Sequence, residues 1–228
     1  EGSTEDIFYN AKNAYTQKLL SSIPCGEKQL ALCDENMIFL RVNNLKVFFH
    51  KSNSYSPWSF ANMFSGKDKK IKVIKAVNDV SFEIRRGEIL GLVGESGSGK
   101  STLGRAILQL TPIASGNVVF DDVDLTLLLP SKKTSVRKRM QMIFQDPYSS
   151  LNPRMSVYDT LAEPLLYHRL VSRKDAAKEV LRLMDDVGLA RSAARKYPHE
   201  FSGGQRQRIA IGRAISTKPE FIVADEPV

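Results

Sequence analysis

The chain has 228 residues, of which 42% are hydrophobic and 25% charged, the composition of an ordinary globular protein rather than of a disordered one. Its formal net charge of +8 would suit a nucleic-acid partner, but the basic residues are scattered and their densest run has no aromatic platform. No apolar run reaches the roughly 18 residues of a membrane span, and Cys25 and Cys33 lack metal-ligand spacing. These observations favour one main core with reduced thiols and no span within this sequence.

The chain opens with a polar stretch and then enters a predicted domain. Residues 1–36 are mixed in composition and are predicted to be a tail or linker, with a short helix around Ala14–Leu20 that stops before Pro24. From Met37 to Phe49, apolar and polar residues alternate with a period of two, which predicts a half-buried strand. We therefore expect the main domain to cover residues 37–228.

The next predicted elements flank a glycine-rich loop. A polar excursion over Ser52–Lys72 leads to a second alternating strand over Ala76–Ile84. Ile89–Val93 then form a nearly continuous apolar run, which is typical of a parallel strand buried on both faces. After the loop, Ser101–Leu110 have one apolar face and predict a helix. The order is strand, glycine loop and helix.

Two later apolar runs predict strands whose carboxyl ends carry polar residues. Met140–Phe144 and Phe221–Ala224 would place those residues at the sheet edge where α/β proteins bind ligands. The intervening residues have helical character and predict a separate helical subdomain over about 147–213. In it, Ser172 and Asp175 have capping-box-like spacing. An apolar stripe follows, formed by Val180, Leu183, Met184 and Val187.

The glycine loop fits the phosphate-binding pattern G-x-x-x-x-G-K-[ST]. Its glycines let backbone N–H groups turn toward phosphates, while the next helix adds its positive N-terminal end. Lys100 is predicted to reach the β- and γ-phosphates, and Ser101 to offer a hydroxyl to Mg²⁺. An accidental match is the alternative, which the flanking strand and helix disfavour. The predicted ATP-binding residues here are Gly94, Glu95, Ser96, Gly97, Ser98, Gly99, Lys100, Ser101 and Thr102.

Paired acids follow the last predicted strand. Asp225 is placed to reach the Mg²⁺ shell and Glu226 to reach an attacking water, the two tasks that phosphoryl transfer requires. By itself this motif is weak, because paired acids after a strand are commonly the start of a loop. Its position beyond a phosphate loop favours the functional interpretation.

Two adjacent glycines lie before a basic, helix-prone stretch. The run Phe201-Ser202-Gly203-Gly204-Gln205 places two glycines behind a capping serine, which exposes N–H groups as a second anion site. A plain Gly-Gly turn would explain Gly203 and Gly204 but not the whole run. The predicted binding residues of this turn are Ser202, Gly203, Gly204 and Gln205.

Together these motifs resemble the ATP-binding-cassette family, whose signature is Leu-Ser-Gly-Gly-Gln. The resemblance implies an α/β fold of the phosphate-loop NTPase type, with a mainly parallel core sheet, an antiparallel β subdomain and a helical signature subdomain. It also implies that the signature of one cassette closes over ATP held by the phosphate loop of another. Phe48 on the first strand would stack on adenine, with Phe49 as the next best match. The implied catalytic residues are Glu226 and Gln145, and the implied Mg²⁺ ligands are Ser101, Gln145 and Asp225.

Two longer runs, Phe144–Pro153 and Tyr197–Gly204, resemble the oligopeptide and dipeptide importer branch of that family. Residues 1–36 resemble the end of a preceding cassette, so the chain resembles the junction and second half of a fused two-cassette ATPase. The implied function is ATP hydrolysis that drives import of peptides or peptide-like solutes. The implied partners are a second cassette, two membrane permease subunits and, indirectly, a substrate-binding protein, without nucleic acid. The implied location is the cytoplasmic face of the bacterial inner membrane, as a peripheral protein.

The sequence also departs from the family pattern. Asp122 stands where a turn glycine is usual, and Phe201 replaces the signature leucine. The sequence ends at Val228, before the family's Ser-Ala-Leu-Asp loop and switch histidine, so we expect negligible turnover from residues 1–228 alone. An inactive nucleotide-binding fragment is therefore one alternative. A cassette ATPase of DNA maintenance or repair is another, although such proteins usually insert a long coiled coil or zinc module between phosphate loop and signature.

Overall fold

The computed structural model describes residues 5, 8–21, 37–51 and 72–227. The short helix predicted in the tail is confirmed as α1, Ala14–Ser21. Both cysteines and nearly all of the excursion predicted over Ser52–Lys72 lie outside the described residues. Within the described ranges, no helix is long and apolar enough to cross a membrane.

An antiparallel sheet has the strand order β2-β1-β3-β4. Its strands are β1 Ile38–Lys51, β2 Lys72–Arg85, β3 Ser115–Phe120 and β4 Val123–Asp124. The alternation predicted for the first strand is confirmed, since Leu40, Val42, Leu45 and Val47 are all buried. β3 turns into β4 through Asp121 and Asp122, whose φ angles are 49° and 60°. Aspartate tolerates this left-handed conformation better than most residues, which accounts for its presence where glycine is usual.

A parallel pair of strands lies beside this sheet. The pair consists of β5, Met140–Ile143, and β6, Phe221–Ala224, with Met140 opposite Phe221 and Ile143 opposite Ala224. Helix α2, Lys100–Ile107, packs closely on β6, because a Cβ built on Gly104 would lie 2.8 Å from a methyl carbon of Val223. Both strands were predicted, and their carboxyl ends lie side by side as expected.

The prediction of a strand at Ile89–Val93 buried on both faces is wrong. These residues form no ladder with the described strands, and their side chains are exposed, Ile89 at 81% and Val93 at 94%. A strand buried on both faces requires neighbouring elements that cover it. Here the segment instead borders a cleft of about 740 Å³ that β6 lines as well. The apolar composition indicated burial but could not indicate the covering element.

The helical region has its own hydrophobic core. Its helices are α4 Pro147–Ser150, α5 Val157–Tyr167, α6 Ala176–Asp186 and α7 Gly203–Ile215, while α3, Pro130–Arg139, precedes β5. Leu161, Leu183 and Ile209, one from each of the three longer helices, are fully buried together. The predicted stripe on α6 is confirmed for its first three residues, and Val187 is half-buried. Ser172 Oγ donates to the Asp175 carboxylate at 2.6 Å and accepts from Asp175 N at 3.3 Å, but Asp175 is itself the N-cap of α6, so the spacing does not produce a capping box.

An ion-pair cluster joins the antiparallel sheet to the parallel pair. Arg139, at the end of α3, donates to Asp121 in the β3–β4 turn and to Glu220 just before β6, the latter at 2.5 Å. Arg86 donates to the same Glu220 at 3.0 Å. The hydrogen bond from Arg139 lowers the pKa of Glu220 below its ordinary value, because it favours the charged carboxylate. This contribution to stability is present at neutral pH and is lost as the pH falls through the pKa of Glu220.

Candidate functional site

The phosphate loop, Gly94–Ser101, curls around the side chain of its own lysine. Lys100 begins α2, and its Nζ donates to the carbonyl oxygens of Gly94 and Glu95 at 2.7 and 2.8 Å. The backbone N–H of Ser98 donates to the same Glu95 carbonyl at 3.2 Å, which closes the turn. The ammonium group is therefore held within the loop, at the N-terminal end of a helix.

Two glycines of this loop are required by the chain itself. Gly97 and Gly99 have φ angles of 79° and 100°, in the left-handed region that favours glycine. A Cβ on Gly99 would also lie 2.2 Å from the carbonyl oxygen of Ala76 in β2. The loop can approach β2 this closely only because residue 99 has no side chain.

Side chains from three separate segments meet near the end of β6. Ser101 Oγ donates to Asp225 Oδ1 at 2.9 Å, and Gln145 Nε2 donates to Glu226 Oε2 at 2.5 Å. Gln145 comes just after β5, and the two acids come directly after β6, so the parallel pairing of β5 and β6 produces this convergence. Glu226 has a φ of 47°, a strained conformation for a non-glycine residue that is found preferentially at functional sites.

The oxygens of this cluster fit a magnesium ion. Mg²⁺ prefers oxygen ligands, which Ser101, Gln145 and Asp225 carry. Asp225 Oδ2 is buried and has no hydrogen-bond partner among the described residues, and such an oxygen calls for a cation or a water. No group of three or more His, Cys, Asp and Glu side chains in the described ranges could hold a metal by itself. An ion here would therefore also need oxygens from a ligand such as a phosphate.

The signature turn, Ser202–Gln205, starts α7 with a reciprocal cap. Gln205 N donates to Ser202 Oγ at 3.3 Å, and Ser202 N donates to Gln205 Oε1 at 3.0 Å. Gly203 and Gly204 are exposed, and a Cβ on either would meet no atom of the described residues within 4 Å outside its own helix turn. Within the described residues, no hydrogen bond joins this turn to the phosphate loop. The chain therefore brings its strand-end acids to the phosphate loop but not its signature.

The two aromatic candidates on β1 lie on opposite faces of the strand. Successive strand residues alternate between faces, so Phe49 shares the face of the buried Val47, whereas Phe48 lies on the other one. Val47 pairs with Val77 of β2, whose side chain lies near Gly99. Phe49 is 43% exposed on this side, while Phe48 lies under the ammonium of Lys75, 5.8 Å from its ring centroid.

Sequence reasoning missed one contact beside the signature. Arg206 is only 7% exposed, and its guanidinium stacks on Tyr148 at 3.7 Å from the ring centroid. A basic residue after a glycine pair is ordinarily solvated, so the sequence carries no signal for this burial. The facing tyrosine is 58 positions away in the chain (206 minus 148), and only the folded structure brings the two together.

In this site a phosphate loop begins a helix, and an aspartate at the end of a strand contacts the serine of that loop. This arrangement defines a nucleotide-binding protein of the phosphate-loop class. The family model described as ABC transporter matches residues 77–228. Among solved structures, the dimeric post-hydrolysis state of the ATP-binding cassette MJ0796, bound to ADP and Pi, is 26% identical with a TM-score of 0.70. The alignment covers 83% of this chain and 74% of that one. The chain belongs to the ABC transporter family, as its motifs predicted.

Two curated relatives carry the resemblance further. The oligopeptide transport ATP-binding protein OppF of Bacillus subtilis (strain 168) is 53% identical over 157 residues, which are 68% of this chain and 52% of that protein. The glutathione import ATP-binding protein GsiA of Escherichia coli (strain K12) is 39% identical over 246 aligned positions, covering all of this chain and 39% of that protein. The chain thus spans about half the length of the first relative and less of the second.

Proposed function

We propose that this chain is part of an ATPase whose hydrolysis of ATP drives import of peptides or peptide-like solutes through a membrane permease. Support for the solute class comes from the relatives, which are named for oligopeptide transport and glutathione import. Support for the chemistry comes from a single observation, the convergence of Ser101, Gln145, Asp225 and Glu226 beside the phosphate loop. Peptides and glutathione share peptide bonds and a free carboxylate, which defines the solute class proposed here.

In the proposed reaction, Lys100 and the loop N–H groups bind the β- and γ-phosphates and offset their charge. Ser101, Gln145 and Asp225 would hold Mg²⁺, which when bound supplies positive charge to the phosphate oxygens. Glu226 orients a water molecule and accepts its proton as the water oxygen bonds to the γ-phosphorus. The bond between that phosphorus and the β–γ bridging oxygen breaks, which leaves ADP and inorganic phosphate.

The signature turn is proposed to act on a nucleotide held by another cassette. A glycine that its own chain does not need, as at positions 203 and 204, is explained by something else that approaches closely. An incoming phosphate is such a partner, since exposed N–H groups at a helix N-terminus attract anions. The related MJ0796 structures are dimers, which is consistent with this arrangement.

For the base of the nucleotide we propose Phe49 rather than Phe48. Phe49 lies on the face of β1 that continues toward the phosphate loop, and its exposed ring is free to stack on an adenine. Phe48 on the opposite face already contacts Lys75. If Phe49 is the stacking residue, Phe49→Ala weakens ATP binding more than Phe48→Ala does, as measured by fluorescent-nucleotide titration.

The proposed partners and location follow from the same family membership. They are a second cassette, two permease subunits, indirectly a substrate-binding protein, and the cytoplasmic face of a bacterial inner membrane. No nucleic acid is expected. The alternative of a DNA-maintenance ATPase predicts salt-dependent binding to duplex DNA, so this measurement separates the two functions.

The test is uptake by membrane vesicles that carry the native transporter. ATP-dependent accumulation of a labelled oligopeptide is compared between the wild type and Glu226→Gln, which keeps the size of the side chain but removes its proton-accepting charge. We expect ATP to bind to this variant with unchanged affinity while uptake falls to background. Uptake that continues unchanged in Glu226→Gln would contradict the role of Glu226, and vesicles that take up no peptide would contradict the solute class.

A further inference from the structure

The signature turn is mechanically tied to the segment that carries Gln145, and the tie passes through one buried arginine. Arg206 is the residue directly after Gln205, and its backbone N–H donates to Ser202 O at 2.9 Å, inside the first turn of α7. Its side chain leaves the turn and reaches α4, where its guanidinium carbon lies over the Tyr148 ring, 3.7 Å from the centroid. One residue thus contacts both the signature turn and the segment after β5.

The contacts around Arg206 hold its guanidinium in place but leave one of its nitrogen donors without a hydrogen-bond partner among the described residues. Its Nε donates to Pro198 O at 2.6 Å, while its Nη1 is buried and makes no hydrogen bond within the described residues. Leaving a buried donor unpaired is destabilising. Stability alone therefore does not explain an arginine at this position, whereas its contact with Tyr148 joins α7 to α4.

On the other side of the contact, α4 begins two residues after Gln145, and side-chain hydrogen bonds close its first turn. Asp146 Oδ1 caps α4 by accepting from Tyr148 N at 2.8 Å, and Ser149 Oγ donates to Asp146 O at 3.2 Å. Arg213, two turns further along α7, donates to Ser150 O at 2.7 Å and makes a second connection to α4. Two contacts thus join α7 to α4, and Asp146, which caps α4, is the residue directly after Gln145.

We propose that Arg206 is a positioning residue that couples the signature turn to the contact between Gln145 and Glu226. When the turn moves to meet a nucleotide, the stacked guanidinium moves Tyr148 and α4, which sets the distance from Gln145 to Glu226. This inference rests on the proposed function, because it concerns the hydrolysis site described there. It adds that occupancy of the signature turn controls the general base of the same chain.

The experiment measures ATP affinity, kcat and thermal stability in the native protein, in the assembled state in which it hydrolyses ATP. Tyr148→Ala removes the stacking ring at an exposed position, and Arg206→Met removes the guanidinium. Each is expected to lower kcat about tenfold with ATP affinity within about twofold of wild type, in line with coupling energies of 0.5–2 kcal/mol. Tyr148→Phe keeps the ring and is expected to retain wild-type kcat.

A double-mutant cycle and a matched control complete the design. If the two residues act through one contact, combining Tyr148→Ala with Arg206→Met lowers kcat no further than Arg206→Met alone. Arg208→Met serves as the control, since Arg208 lies on the same helix but is exposed and donates to Gly188 O instead, at 3.1 Å. Its kcat should equal that of the wild type.

Several outcomes would overturn the coupling. They are an unchanged kcat in Tyr148→Ala, additive losses in the double variant, a loss in Tyr148→Phe equal to that in Tyr148→Ala, and a parallel loss of ATP affinity and thermal stability, which would indicate a purely structural role. If Arg206→Met does not fold, Tyr148→Ala and Tyr148→Phe still decide the question. Failure of the proposed function is recognised separately, by a wild-type protein that neither binds nor hydrolyses ATP.

Discussion

The phosphate loop and the signature turn are both glycine-containing starts of helices, yet their glycines have different reasons to exist. In the phosphate loop, Gly99 is required by the chain itself, through its φ of 100° and the carbonyl oxygen of Ala76 at 2.2 Å from a built Cβ. In the signature turn, a Cβ on Gly203 or Gly204 would lie more than 4 Å from every described atom outside its own helix turn. The glycines of the loop are required by contacts within the chain, whereas those of the signature turn lie at an exposed surface, where we propose that a nucleotide of another cassette binds.

The two motifs also differ in what already fills them. The loop surrounds the ammonium of Lys100, which donates to two of its carbonyl oxygens. In the signature turn, the side-chain hydrogen bonds found among the described residues are those of the reciprocal cap between Ser202 and Gln205. Glycine runs of similar composition can therefore serve close packing within the chain or the close approach of another molecule. Substituting each glycine by a residue with a side chain separates the two cases.

We expect the strongest loss of ATP binding from a substitution in the phosphate loop. Lys100→Ala removes the cation that the loop surrounds, and we expect ATP affinity to fall by about 100-fold or more, because charge-assisted contacts to phosphate are strong. Titration with a fluorescent ATP analogue measures it. The control is Lys132→Ala, an exposed lysine on α3, which should bind as the wild type does. Affinity retained within about twofold in Lys100→Ala would refute the nucleotide site.

Gly99→Ala tests whether the loop is shaped from inside. A left-handed φ costs a non-glycine residue roughly 1–2 kcal/mol, and the clash with Ala76 adds to it. We expect the free energy of unfolding in urea to fall by more than about 2 kcal/mol, together with loss of ATP binding. A Gly99→Ala protein as stable as the wild type would show that the chain itself does not require glycine at this position.

Gly204→Ala tests the opposite motif. Since its Cβ would meet no described atom outside its own helix turn, the free energy of unfolding should change by less than about 1 kcal/mol. ATP hydrolysis in the assembled native protein should nevertheless fall about tenfold, because the added methyl group obstructs the approach of a nucleotide. Unimpaired hydrolysis in this variant would mean that the signature turn is an ordinary helix start.

The smallest expected effect concerns the cap of the signature helix. Ser202→Ala removes the acceptor for Gln205 N and should lower the free energy of unfolding by about 1 kcal/mol, whereas Ser202→Gly should cost only a few tenths. Urea denaturation of the three proteins measures the difference. Equal stabilities of the alanine and glycine variants would argue that the cap seen in the structure does not stabilise α7.

Much of the fold was predictable because the signals are local. The alternation of β1, the stripe on α6 and the strand Phe221–Ala224 follow from periodicity and chain order. The phosphate loop is recognisable from its spacing, and the acids at 225 and 226 become recognisable because they follow a strand beyond that loop. Their convergence with Gln145 followed from the rule that parallel strands end at a common edge. How the chain divides into domains stays a prediction.

The sequence is sufficient to predict motifs whose chemistry lies within a few consecutive residues. The reason is that near neighbours set the hydrogen bonding of a loop or a cap. Tertiary structure alone decided what covers each segment. It left Ile89–Val93 exposed and buried Arg206 against Tyr148. Each of these depends on which distant residues pack there, and packing between distant residues leaves no trace in local periodicity.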